Sequence, residues 1–146
     1  MLFEKRYKAS VVIDADLQEI WDVLVNQNEY HAWNPFTPKI ETDWKIGSKV
    51  RLTVRMKPGK SPILQTEYLT KLNPPNELAW GMDWGGFLKA ERIQRLTSLP
   101  DGKIQYFTED CISGILCPIV HLIYGKYIQL GFEHVASSLK KYAERS

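Results

Sequence analysis

Apolar and polar residues along this chain follow two periods, one of two residues and one close to 3.6. Val50, Leu52, Val54 and Met56 alternate with Arg51, Thr53, Arg55 and Lys57. That is the pattern of a strand with one buried face. Leu78, Trp80 and Met82 form a second alternating face. Residues 7–14 are rich in β-branched side chains and predict a strand. Further strands are predicted over 64–72, from Gly85-Gly86 through Leu96, and over 103–112. Turn signals separate them: Pro58-Gly59-Lys60-Ser61-Pro62, Asn73-Pro74-Pro75-Asn76 and Pro100-Asp101-Gly102.

The longer period marks two regions. Asp16 precedes Leu17, Ile20, Trp21 and Leu24, with Glu19 three residues after it. The spacing predicts a capped helix with one buried face, ending near Asn26. A second short helix is predicted over 29–33, stopped by Asn34-Pro35. At the other end, Ile128, Phe132, Val135, Leu139 and Tyr142 make one apolar stripe, opposite Lys126, Glu133, Ser137, Lys140 and Glu144. The start of this helix differs: Val120, Leu122, Ile123, Tyr127 and Leu130 point around most of its circumference. Such a segment needs more than one cover. Burial under the 113–118 loop is the first expectation, a dimer interface the second, and membrane contact during ligand exchange the third.

The order predicts an α+β domain over residues 1–146. A curved antiparallel sheet of about six to seven strands buries one face against the long terminal helix, the one element able to cover it. Two short helices follow the first strand. A curved sheet closed by a single helix can leave a void between them.

Composition narrows the function. The formal net charge of +2 gives no basic surface for nucleic acid. Five Trp and seven Tyr are many for this length and suit a core or a ligand cavity. Cys111 and Cys117 fit neither a disulfide framework nor a zinc pattern and read as free thiols of a reducing compartment. The early charges Glu4, Lys5 and Arg6 argue against a signal peptide, and the longest apolar run, 112–124, is too short for a stable membrane span. A cytoplasmic location is expected. His31, His121 and His134 stand apart without acidic partners at ligand spacing, so neither a metal nor another cofactor is expected.

Several motifs recur in one order: Ile20-Trp21-Asp22-Val23-Leu24, Tyr30-His31-Ala32-Trp33-Asn34-Pro35-Phe36, Gly47-Ser48-Lys49-Val50, Asn73-Pro74-Pro75-Asn76-Glu77-Leu78-Ala79-Trp80, Leu99-Pro100-Asp101-Gly102, Ser113-Gly114-Ile115-Leu116 and Gly131-Phe132-Glu133. In these the chain resembles the SRPBCC superfamily, also described as START-like or birch-pollen-allergen-like, and within it the polyketide cyclase/dehydrase and lipid-transport proteins. The resemblance implies a helix-grip fold with a cavity for a small hydrophobic molecule such as a lipid or polyketide. It implies binding, cyclase or dehydratase chemistry, or a regulatory interaction, without choosing among them. Relatives often carry His where this chain has Arg92 and near Thr108, which weakens an enzymatic expectation. A monomer or homodimer is expected.

Inward parity and the resemblance together give candidate cavity residues: Trp33, Val54, Trp80, Met82, Trp84, Arg92, Gln94, Tyr106, Thr108, Asp110, Ile128 and Phe132. Trp33 is read first as packing the helix pair against the sheet and second as a cavity residue. Trp84, beside Gly85-Gly86, suits a cavity mouth. Alternation leaves the face of Arg92 open, and the resemblance implies that Arg92, Gln94 and Leu96 point in. An inward Arg must be paired or hydrogen-bonded. Either Asp110 pairs with it, or it anchors an acidic ligand head. Asp110, Tyr106 and Arg92 are the candidates for proton transfer if the protein is an enzyme.

Overall fold

The computed structural model describes residues 3–145. The first strand, β1 (Glu4–Ile13), leads into helix α1 (Leu17–Val25). Asp16 caps that helix: its carboxylate accepts from the Gln18 N–H at 3.1 Å. Ile20, Trp21 and Leu24 are the buried side chains of α1, as their spacing predicts. After a 3-10 turn at Gln27–Glu29 comes α2 (Tyr30–Trp33). The Asn34 side chain takes over there, accepting from the backbone N–H groups of Phe36 and Thr37.

Six strands follow: β2 (Lys39–Thr42), β3 (Lys49–Val54), β4 (Ile63–Asn73), β5 (Glu77–Asp83), β6 (Lys89–Ser98) and β7 (Ile104–Ser113). They join β1 in one seven-stranded antiparallel sheet of order β1-β7-β6-β5-β4-β3-β2. Only β2 lacks its own signal in the sequence: it has four residues and one buried side chain, Ile40. Helix α3 (Cys117–Glu144) closes the fold, with Pro118 in its first turn, where a missing N–H costs nothing. Its stripe of Ile128, Phe132, Val135 and Leu139 is buried against the sheet, while Tyr142 is half-buried. This is the helix-grip arrangement.

Register fixes what faces the helix. Tyr7, Asp110, Arg92, Trp80 and Leu69 sit opposite one another on five adjacent strands and share the inward face. Arg92, Gln94 and Leu96 all point in and are buried. The sheet is not continuous, however. β4 and β5 pair only from Tyr68 and Gly81 to Asn73 and Glu77, so Ile63 to Glu67 have β3 alone as a neighbour. Gly81 stands at the top of this split. A Cβ there would meet the carbonyl oxygen of Ala90 on β6 at 2.3 Å, so only glycine lets β5 and β6 approach so closely.

One expectation needs correction. The 113–118 loop does not cover the start of α3: Leu122 is 84% exposed and Ile119 55%. The loop is held elsewhere. Ile115 and Leu116 donate their N–H groups to the carbonyls of Gly86 and Phe87, at 3.1 and 3.0 Å. Gly114 makes this possible, with φ of +113° and no Cβ to strike the Phe87 carbonyl at 2.5 Å. The loop is thus stitched to the β5–β6 hairpin instead of folding back on the helix. Among the described residues no helix is long and apolar enough to cross a membrane.

Candidate functional site

Between the inward face of the sheet and α3 lies a cavity of about 410 Å³. Alternation on β3 and β5 supplies one wall, with Leu52, Val54, Trp80 and Met82. The helix supplies the other, with Tyr124, Ile128 and Phe132. Phe36, after α2, meets the Phe132 ring edge-on at 5.8 Å. It also lies over Gly131, where a Cβ would be 2.3 Å from its ring. The cavity opens beside the split in the sheet, where Leu64 and Thr66 of β4, Trp84 of the β5–β6 hairpin and Val120 of α3 contribute.

One corner of this apolar space is charged: Arg92, Asp110 and Glu67 all line it. Arg92 is only 6% exposed. Its Nε donates to Thr108 Oγ1 at 3.0 Å and its Nη2 to the Tyr106 hydroxyl at 3.4 Å. Each acceptor is itself fixed, because Tyr106 donates to Gln94 Oε1 at 2.5 Å and Thr108 to the Ile93 carbonyl at 3.1 Å. The guanidinium carbon stands 4.3 Å from the Phe132 ring centroid and 5.9 Å from that of Trp80. Arg92 is therefore held by neutral groups and aromatic faces, which suits its weakly hydrated, planar cation.

The expected Arg92–Asp110 ion pair is not formed. Although the two residues are register partners, Arg92 is absent from the ion pairs among the described residues. Arg92 instead turns Nε and Nη2 to the Thr108 and Tyr106 hydroxyls. Asp110 Oδ1 is left buried without a hydrogen-bond partner. Burial pushes the Asp110 carboxyl up to about 6, against the pull of Arg92. Glu67 is pushed up to about 7, first by burial and then by the nearby Asp110, again opposed by Arg92.

The structure gathers eight of the sequence-derived candidates around the cavity: Val54, Trp80, Met82, Trp84, Arg92, Asp110, Ile128 and Phe132. Gln94, Tyr106 and Thr108 are buried behind Arg92 and carry it rather than line the space. Trp33 lies outside the cavity. It packs edge-on against Tyr30 at 5.1 Å, because α2 covers a different part of the sheet. Glu67 is the charged cavity residue that sequence reasoning missed. Its parity with the buried Leu69 was the available signal.

The histidines are separate from this corner. His121 Nδ1 and the Tyr7 hydroxyl share a 2.7 Å hydrogen bond between α3 and β1, over Gly125. Burial, with Cys117 and Asp110 nearby, pushes the Tyr7 phenol up to about 12. Among the described residues, no three His, Cys, Asp or Glu side chains are grouped to hold a metal ion.

A sequence model described as polyketide cyclase/dehydrase and lipid transport matches residues 5–144. The chain belongs to that family. No curated protein sequence matches this member of the family. Among solved structures, it is similar to the Zhui aromatase/cyclase from Streptomyces sp. R1128, with TM-score 0.78, 18% identity, and coverage of 97% of this chain and 94% of that one. A START superfamily protein from Mycobacterium smegmatis gives TM-score 0.73 and 15% identity, covering 95% of this chain and 97% of that one. The di-domain ARO/CYC BexL from the BE-7585A biosynthetic pathway gives TM-score 0.76 and 12% identity, with 100% of this chain covered. The chain spans about half of BexL, 52% of its length. At such identities the likeness concerns the fold of this polyketide cyclase/dehydrase and lipid transport family member.

Proposed function

We propose that the protein binds one small, mainly apolar molecule of lipid or polyketide type between the sheet and α3. The cavity carries this reading. Its roughly 410 Å³ is within the range of about 300–1,000 Å³ typical of small-molecule sites. Its walls are aliphatic and aromatic, with its charged groups collected in one corner. The free thiols of Cys111 and Cys117 fit work in the reducing cytoplasm, as a monomer or homodimer. Native mass spectrometry of the purified protein, followed by denaturing extraction, tests the reading. A stoichiometric co-purified apolar molecule, or uptake of one added at micromolar concentration, is the expected result. A folded protein that takes up none counts against it.

A second reading has its own support. Asp110 and Glu67 are poised near neutrality beside a fixed cation, an arrangement suited to proton transfer of the cyclase or dehydratase kind. In it Asp110 and Glu67 exchange protons with the substrate while Arg92 polarises an oxygen. Tyr106, buried behind Arg92, is a positioning residue only. Unchanged turnover of a polyketide-type substrate by Asp110→Asn would remove this reading.

A further inference from the structure

The charged corner also says what kind of ligand head it suits. Arg92 alone would favour an acid. Its immediate surroundings do not. Nε and Nη2 are turned to Thr108 and Tyr106, and the Phe132 ring stands against the guanidinium. The corner also contains two carboxyl groups, one from β4 and one from β7. Asp110 Oδ1 is sealed from solvent with no donor in reach. A buried acceptor in that state costs free energy until a donor arrives. A carboxylate head would bring two more acceptors and a third negative charge. The unmet need of the corner is a donor.

Resting on the binding reading above, we infer that the cavity takes an amphiphile whose head donates hydrogen bonds, a primary ammonium foremost and a hydroxyl next, to Asp110 and Glu67, and that it disfavours a carboxylate head. With both carboxyls ionised, one Arg92 charge leaves the corner at minus one, which an ammonium neutralises. The other titratable groups around the corner are Tyr7 of β1, hydrogen-bonded to His121 of α3, Tyr30 of α2, Tyr106 of β7 and Tyr124 of α3, with Lys57 over the Tyr124 ring. Protonation of Glu67 near 7 and then Asp110 near 6 turns the corner positive and removes the preference. Ammonium binding therefore weakens as the pH falls through that window.

The test uses N-phenyl-1-naphthylamine, an uncharged fluorophore, bound to the full chain and displaced by three matched ten-carbon chains: decylamine, 1-decanol and decanoate. At pH 8 decylamine should displace the dye at a concentration about ten-fold lower than decanoate, with decanol between them. At pH 6, where decylamine and decanoate keep their charges, the gap should close. The variant with Glu67→Gln and Asp110→Asn should keep the dye and lose the amine preference at pH 8, its folding confirmed by circular dichroism. Should that variant not fold, the wild-type pH dependence decides alone. Decanoate binding as tightly as decylamine at pH 8, or a preference unchanged in the folded variant, overturns the inference and leaves the binding reading standing. Failure of the dye and all three chains to bind folded wild type removes the binding reading itself.

Discussion

The guanidinium carbon of Arg92 stands 4.3 Å from the centre of the Phe132 ring, which ties a charge on β6 to the helix that closes the sheet. A cation over an aromatic face is attracted by the ring quadrupole, by about 0.5–2 kcal/mol depending on desolvation. Here that contact and two neutral hydroxyls stand in for a carboxylate partner. At pH 4, where both carboxyls are protonated, replacing Arg92 with Met should therefore cost little, within about 1 kcal/mol, since it removes an unneutralised buried charge along with two hydrogen bonds. Urea unfolding measures this. The same substitution should raise the titration midpoints of Asp110 and Glu67, because Arg92 lowers both. Carbon-13 NMR of the side-chain carboxyls reads those midpoints directly.

The two carboxyls also set a pH dependence. Glu67 rises from 4.5 to about 7 and Asp110 from 3.8 to about 6 in the folded chain. The folded state then holds protons that the unfolded state has released. Stability is fully present below about pH 4 as far as these groups are concerned, and falls as pH rises through 6 to 7. Glu67→Gln should be more stable than wild type by about 1–3 kcal/mol at pH 8 and nearly equal to it at pH 4. Chemical unfolding at both pH values checks the sign; a variant less stable at pH 8 contradicts the burial of this charge.

Gly131 is where the helix meets Phe36. Gly131→Ala places a methyl group 2.3 Å from the Phe36 ring, so the ring must move into the cavity it lines. Overpacking of this kind costs about 1–3 kcal/mol. Thermal unfolding should show the loss, and the bound dye should report a smaller site. Gly86→Ala is the control, because no atom lies within 4 Å of the added Cβ.

Much of this architecture is legible in the sequence, and the gaps have physical causes. Alternation reveals β3 and β5, Asp16 marks the start of α1, and the 128–139 stripe marks the buried face of α3. β2 is too short for any period to emerge. Arg92 alternates with residues as polar as itself, and only its register opposite Trp80 and Asp110 decides its face. Glu67 was hidden for a related reason. Polar residues at inward positions look like a solvated face until a cavity is known to lie beneath them. The apolar start of α3 is legible as a segment needing cover, but a loop's path depends on distant hydrogen bonds to Gly86 and Phe87.

That start makes its own prediction. Leu122 is exposed on the free chain, so Leu122→Ser should change stability by less than about 0.5 kcal/mol. A larger loss in urea unfolding, dependent on protein concentration, would mean that a second copy covers it in solution.

The stitch of Ile115 and Leu116 to Gly86 and Phe87 and the split between β4 and β5 together give the cavity two unlike lips. On one side, Ile115 and Leu116, just before α3, are bound by backbone hydrogen bonds to the β5–β6 hairpin. On the other, residues 63–67 of β4 have no partner on β5. The loose lip can swing outward without breaking any sheet hydrogen bond to β5. On the binding reading proposed above, exchange of a guest would be separated from the integrity of the fold: the door would hang on the β3–β4 hinge, and the frame would keep its shape.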